Sequence, residues 1–218
     1  MNRAERRRHR KEAEKAAKKA NLNQSENSSP ENQTLALQQA MDLAVQHHAA
    51  GRLPEAESIC HQILQADPGQ SVPLHLLGVI AFQVGKNDVA VDFITRALAI
   101  NPDDVEAHNN LGAVLQTLGK GDEAVDCYHK ALAVKSDYAE AHYNLGVALQ
   151  DLGKLDEAAA SYRKALAIKP DYDTAAAALL QQLRHACAWP DVVELEPKVA
   201  EFTKQSIREG GNVAFSPF

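Results

Sequence analysis

Residues 112–153 read GAVLQTLGKGDEAVDCYHKALAVKSDYAEAHYNLGVALQDLG, and this stretch decides the fold. It opens and closes on the same short phrase. Gly112 returns as Gly146, Leu115-Gln116 as Leu149-Gln150, and Gly119-Lys120 as Gly153-Lys154. Each step is 34 residues, and the same step continues outward in both directions. Gly51, Gly85, Gly119 and Gly153 form one column, and Ala56, Ala90, Ala124 and Ala158 a second. Gly78, Gly112 and Gly146 form a third, with Ala44 in its first place. Pro68, Pro102 and Pro170 form a fourth, with Ser136 in its third place. Columns in a common register mark an internal repeat, and a repeat must be recognised before any single motif is read.

Each copy contains two helix-like halves. In the copy at 139–172, Leu145, Gly146 and Leu149 lie on one face of the first half. Ala158, Tyr162, Ala165, Leu166 and Ile168 mark the second. Gly146 and Ala158 are small, as a close helix crossing requires. Gly153 suits the left-handed residue that ends a helix. Asp156 is expected to open the second helix by accepting from free N–H groups. Pro170 is expected to stop it, since proline has no N–H. The copies fall at 37–70, 71–104, 105–138 and 139–172.

A fifth copy begins at Asp173 and decays. Leu179, Leu180 and Leu183 keep its first face, but Cys187 stands where the turn glycine belongs. After Trp189-Pro190 comes an apolar 3/4 spacing, Val192, Leu195, Val199 and Phe202, interrupted by Pro197. Terminal repeats are atypical because they cap the stack.

A 34-residue period with paired helices resembles the tetratricopeptide repeat. The expected fold class is all-α: an α-α superhelix, or solenoid, of four repeats plus a degenerate fifth capping helix pair. The expected organisation is a basic arm at 1–20, a polar linker at 21–34, a solenoid at 35–208 and a tail at 209–218. The linker NLNQSENSSPENQ is polar enough to remain unfolded. The family resemblance implies a concave groove lined by first helices that holds peptides. Mapped residue by residue, groove positions fall on Gln38, Met41, Asp42, Val45 and His48 in the first copy. They fall on Val72, His75, Leu76, Val79 and Phe82 in the second, and on Glu106, Asn109, Asn110, Ala113 and Gln116 in the third. The fourth supplies Glu140, Tyr143, Asn144, Val147 and Gln150. The peptide-binding set singled out is His75, Val79, Phe82, Asn109, Asn110, Gln116, Tyr143, Asn144 and Gln150. Asn110 and Asn144 share a column and are expected to stack as a short ladder whose amides pair with a peptide backbone. The chaperone-binding subgroup of the family grips a C-terminal carboxylate with Lys and Arg; Glu106 and Glu140 here argue against that role.

Asn110-Leu111 and Asn144-Leu145 look like the repeats of O-GlcNAc transferases. The stretch Leu183-Arg184-His185-Ala186-Cys187-Ala188-Trp189 and the tail Ala214-Phe215-Ser216-Pro217-Phe218 are similar to that family's junction with its transferase domain. The resemblance implies a sugar-nucleotide domain beyond Phe218, outside this chain, so no catalytic residue is carried over.

Composition fits this reading. The chain has 218 residues, 45% hydrophobic but only 5% aromatic, as an Ala/Gly/Leu-built helical array would be. No apolar run approaches the roughly 18 residues of a membrane span. MNRAERRRHR has no apolar segment behind it, so no secretory signal is read there. Three scattered cysteines, Cys60, Cys127 and Cys187, give no disulfide framework and are compatible with a reducing, cytoplasmic setting. Gly85-Lys86, Gly119-Lys120 and Gly153-Lys154 lack the remainder of a phosphate loop and read as turns. The histidines, among them His108 and His142 in equivalent places and the neighbours His47 and His48, show no ligand spacing, so no metal or cofactor is expected. No nucleophile–base arrangement is seen, and the chain is not expected to be an enzyme.

The net charge of −6 conceals two opposite halves. Residues 1–20 carry nine Lys/Arg against three Glu, a net +6, and the remainder carries 14 basic and 26 acidic residues, a net −12. The arm (Arg3, Arg6, Arg7, Arg8, Arg10, Lys11, Lys15, Lys18, Lys19) gives nonspecific attraction to nucleic acid or an anionic membrane surface as a secondary expectation. The leading expectation is a protein or peptide partner, with neutral or basic segments favoured by the acidic body.

Overall fold

The computed structural model describes residues 30–185, 193, 195–197 and 199–201. Its regular elements are helices: α1 (Pro30–Ala49), α2 (Leu53–Ala66), α3 (Ser71–Gln83), α4 (Asn87–Ile100), α5 (Val105–Thr117), α6 (Gly121–Val134), α7 (Ala139–Asp151), α8 (Leu155–Ile168) and α9 (Asp173–His185). The second helix of each copy begins at 53, 87, 121 or 155, and first helices α3, α5, α7 and α9 begin at 71, 105, 139 and 173. The 34-residue step is therefore kept to the residue. α1 begins at Pro30, inside the segment read as linker; proline suits the first helical turn, where its missing N–H has no partner to lose.

The turn between the two helices of a copy takes few residues because one residue serves both. Gly85, Gly119 and Gly153 have φ of 76°, 75° and 73°. The following Lys86, Lys120 and Lys154 donate their N–H to Ala81, Leu115 and Leu149, closing the first helix in a Schellman motif. The same lysines are the N-caps of α4, α6 and α8, and their carbonyls accept from Ala90, Ala124 and Ala158. This explains why Gly-Lys recurs without a phosphate. It also corrects the role of Asp156. No side chain caps α8, and Asp156 and Glu157 instead lie in its first turn, where negative charge favours the helix dipole. The capping aspartate is one the sequence reading passed over: Asp104 Oδ1 accepts from the Ala107 N–H at 2.9 Å at the start of α5.

Pro170 does not stop α8. α6 ends at Val134, the equivalent of Ile168, although Ser136 replaces the proline. Both helices close on an extended residue, Lys135 or Lys169, whose N–H still reaches the carbonyl four residues back.

Replacing Gly153 with alanine tests the turn. A Cβ built there meets nothing within 4 Å, so packing is not at issue and only the left-handed φ resists. Gly153→Ala is expected to lose about 1–2 kcal/mol in urea unfolding, and Gly153→Asn less. A loss within error of zero for alanine would show that the turn does not need this conformation.

The chain divides into two compact units, with the boundary between Pro73 and Leu74. In the first, α1 packs on α2 and buries Ala44, Ala56, Cys60 and Ile63. In the second, each helix from α4 to α9 packs on the next, and α5 also touches α7, so first helices of successive copies stand side by side. One core cluster runs through Leu115, Ala124, Tyr128, Leu145, Ala158, Tyr162, Leu179 and Leu183, and includes Val199 beyond α9. Residues 193, 195–197 and 199–201 are helical, so Pro197 does not exclude helix there, and Glu196 accepts from Arg184 at 2.6 Å. Cys187, Trp189, Val192, Phe202, the arm and the tail lie outside the described residues.

The small residues of the glycine column face a residue sixteen positions later. A Cβ on Gly146 would come 2.5 Å from the Tyr162 ring, one on Gly112 2.7 Å from Tyr128, and one on Gly78 2.4 Å from Ile94. The crossing expected between Gly146 and Ala158 thus also takes in Tyr162, and in the second copy a Cβ on Gly78 would lie 3.3 Å from the carbonyl of Ala90, the equivalent of Ala158. In the first copy the same two positions are Ala44 and Cys60, both fully buried. As the residue opposite shrinks from Tyr to Ile to Cys, the column gains a methyl only where the partner is smallest. Close packing requires such volume exchange.

Candidate functional site

α5 and α7 present their side chains to one another one repeat apart. Asn144 Nδ2 donates to Asn109 Oδ1 at 3.0 Å, and Asn110 Nδ2 lies 2.9 Å from His75 Nε2. Both bonds connect the sixth position of one copy to the fifth of the preceding copy. The expected stack of Asn110 on Asn144 is therefore replaced by a diagonal row, because adjacent first helices meet offset by one residue. Burial lowers the His75 pKa, against the opposing pull of Asp104 and Glu106, so its ring is neutral near pH 7. Asp104 Oδ2 lies 3.7 Å from Nδ1, which favours a proton there and leaves Nε2 to accept from Asn110.

A second row runs beside the first. Tyr128 donates its hydroxyl to Gln116 Oε1 at 3.3 Å, and Gln116 Nε2 donates to Asp151 Oδ2 at 2.6 Å. Tyr162 makes the equivalent bond to Gln150 Oε1 at 2.9 Å. Burial first, and Asp151 among the nearby charges, push both tyrosine hydroxyls above their ordinary pKa, which keeps them protonated donors.

Between these rows opens a hollow of about 450 Å³. Phe82, Gln116, Tyr143, Asn144, Ala113 and Val147 line it, all groove positions of three successive copies. Thr117, Tyr128 and Asp151 complete it and were missed. Tyr128 belongs to a second helix and reaches the hollow only because Gly112 lets its ring pass; the Gly112–Tyr128 spacing was the available signal. Tyr143 continues into a ring cluster, 5.9 Å from Tyr162 and 5.2 Å from Tyr172 between centroids.

The remaining singled-out residues fall elsewhere. His75, Asn109 and Asn110 belong to the diagonal row, with Asn109 only 7% exposed. Val79 is half-buried, and Gln150 holds Tyr162. In the first copy Met41 is buried and Gln38 bonds Asp42, so that stretch offers less than the mapping implied. His108 and His142 each bond the carbonyl of their own preceding loop, at Pro102 (2.8 Å) and Ser136 (3.0 Å), which gives the column a structural role. Cys60 and Cys127 are buried, and burial pushes the Cys60 thiol up to about 11.

No described helix is long and apolar enough to cross a membrane. No curated protein sequence matches the chain. Among solved structures, MamA of AMB-1 is 26% identical with a TM-score of 0.65, over 76% of this chain and 98% of that one. MamA from Desulfovibrio magneticus RS-1 is 20% identical, TM-score 0.69, over 78% and 96%. Pseudomonas aeruginosa pilF is 18% identical, TM-score 0.73, over 78% and 77%. Two family models, each described as a tetratricopeptide repeat, match residues 47–115 and 103–171. Together these two matches span more than half of the chain, which belongs to the tetratricopeptide repeat family.

Proposed function

We propose that the chain is a protein-interaction scaffold that holds an extended segment of a partner along α3, α5 and α7, anchored in the hollow. The observation that carries this is the gathering of Phe82, Gln116, Tyr143 and Asn144, from three copies, around one open space. The amides of Gln116 and Asn144 are held by neighbours, so little ordering of them is left for a ligand to impose. Apolar and aromatic side chains set beside fixed polar groups are the usual make-up of a ligand site.

The test is to select binders from a linear peptide library and measure them against variants. Asn110→Ala with Asn144→Ala is expected to weaken the selected peptides about tenfold, while Asp126→Ala on exposed α6 surface leaves affinity unchanged. Unaltered binding by the double variant would refute the reading. So would loss of binding on removal of residues 1–29 with the helices intact, which would assign recognition to the arm.

A second reading, a repeat module of a protein O-glycosyltransferase, rests on Asn110-Leu111, Asn144-Leu145 and the 183–189 junction. Leu183–His185 close α9, while Ala186–Trp189 lie outside the described residues. A transferase domain encoded in frame past codon 218 would favour it.

A further inference from the structure

The hydrogens of the hollow are largely engaged inside the protein. Thr117 donates its hydroxyl to the Ala113 carbonyl at 2.9 Å, so Oγ1 faces a ligand with lone pairs. Tyr128 donates to Gln116, and Gln116 to Asp151. Asn144 uses one amide hydrogen on Asn109, which leaves its Oδ1 free to accept. Asp151 is an exposed carboxylate with Oδ1 open, and among the described residues it pairs with no Lys or Arg. Lys154, three residues on, lies instead 3.9 Å from Asp122, and Lys120 lies 3.8 Å from Glu123. Against these acceptors stand only the second amide hydrogens of Gln116 and Asn144 and the Tyr143 hydroxyl. The balance is acceptor-rich and negative, beside three aromatic residues, Phe82, Tyr128 and Tyr143.

We infer that the hollow is a pocket for an arginine side chain of the bound segment. Guanidinium is planar, always charged and carries five N–H donors and no acceptor, so it complements several fixed acceptors at once and lies well against aromatic faces. Lysine offers a point charge with three donors and no plane to lay on a ring. The net −12 of residues 21–218 draws a cationic segment toward the site. This inference rests on the groove reading above and specifies its ligand.

The experiment uses the full chain, labelled for side-chain amide NMR. The probes are acetyl-Gly-Gly-X-Gly-Gly-amide peptides with X as Arg, citrulline, Lys, Glu or Leu. The Arg peptide is expected to shift the Gln116 and Asn144 amide signals saturably. Lysine should bind several-fold more weakly, and citrulline, which keeps the shape but not the charge, at least about tenfold more weakly. Asp151→Asn still accepts from Gln116 and keeps the site's shape, and should weaken the Arg peptide about tenfold. Equal binding of Arg and citrulline, equal binding of Arg and Lys, or an unchanged affinity in Asp151→Asn would overturn the arginine assignment. Shifts from the Leu or Glu peptide without the Arg peptide would overturn it while leaving the groove reading standing. No shift at these amides from any of the five would remove both.

Discussion

Tyr162→Ala is expected to destabilise the protein by about 4 kcal/mol in urea unfolding. Tyr162 is fully buried, and its ring fills the space that Gly146 leaves open and lies beside Tyr143 in the core cluster. Removing a buried ring loses its transfer free energy and leaves a cavity, about 3–5 kcal/mol for aromatic-to-alanine changes. The lost hydroxyl adds little, because Gln150 is half-exposed and its carbonyl can turn to water. Tyr162→Phe isolates that part and should lose only about 1 kcal/mol. Because repeats contact mainly their neighbours, the loss falls on the pairing of α7 with α8 and on both adjoining interfaces. A measured loss below about 1.5 kcal/mol for alanine would mean that the ring does not bear on the core as described.

Gly146→Ala is expected to reverse sign according to what stands at 162. In the native background the new methyl would lie 2.5 Å from Cε1 and 2.7 Å from Cδ1 of Tyr162. A buried ring held by Gln150 and packed on all sides cannot swing away, so overpacking of about 1–3 kcal/mol results. Alanine's better helix propensity returns about 1 kcal/mol. The net expectation is a loss of up to about 2 kcal/mol. In the Tyr162→Ala background the obstructing atoms are gone, and Gly146→Ala should stabilise by up to about 1 kcal/mol. Helix propensity cancels in the double-mutant cycle, so its coupling energy is the overpacking term, about 1–3 kcal/mol, as contacting residues commonly show. Additive effects would refute the contact. The first copy supports the expectation, since Ala44 stands there opposite the small Cys60.

Much of this was legible in the residues. From α2 to α9 the helix starts followed the 34-residue step, and Gly85, Gly119 and Gly153 carried the positive φ that their column required. Local rules failed where one residue had two duties. Asp156 looks like a cap, but the lysine before Leu155 already closes one helix and opens the next, so the carboxylate is left in the first turn. Pro170 looks like a stop, but α6 ends at the equivalent residue without one.

The candidate site was legible by face and not by partner. The family resemblance assigns Phe82, Gln116, Tyr143 and Asn144 to groove-facing positions, residue by residue. It does not say that Asn144 bonds Asn109 and leaves Asn110 to His75, or that Asp151 takes the Gln116 amide. Those bonds join residues 35 apart, so they depend on how far one first helix slides past the next.

The order of residues was enough to specify the repeat, its two helices per copy and the turn glycines, because each is a property of one helix or one helix pair. Which hydrogens of the hollow are used, and which lone pairs stay open, was settled by the packing of one copy on the next. That packing carries a one-residue offset between neighbouring first helices, which a period of 34 leaves unspecified.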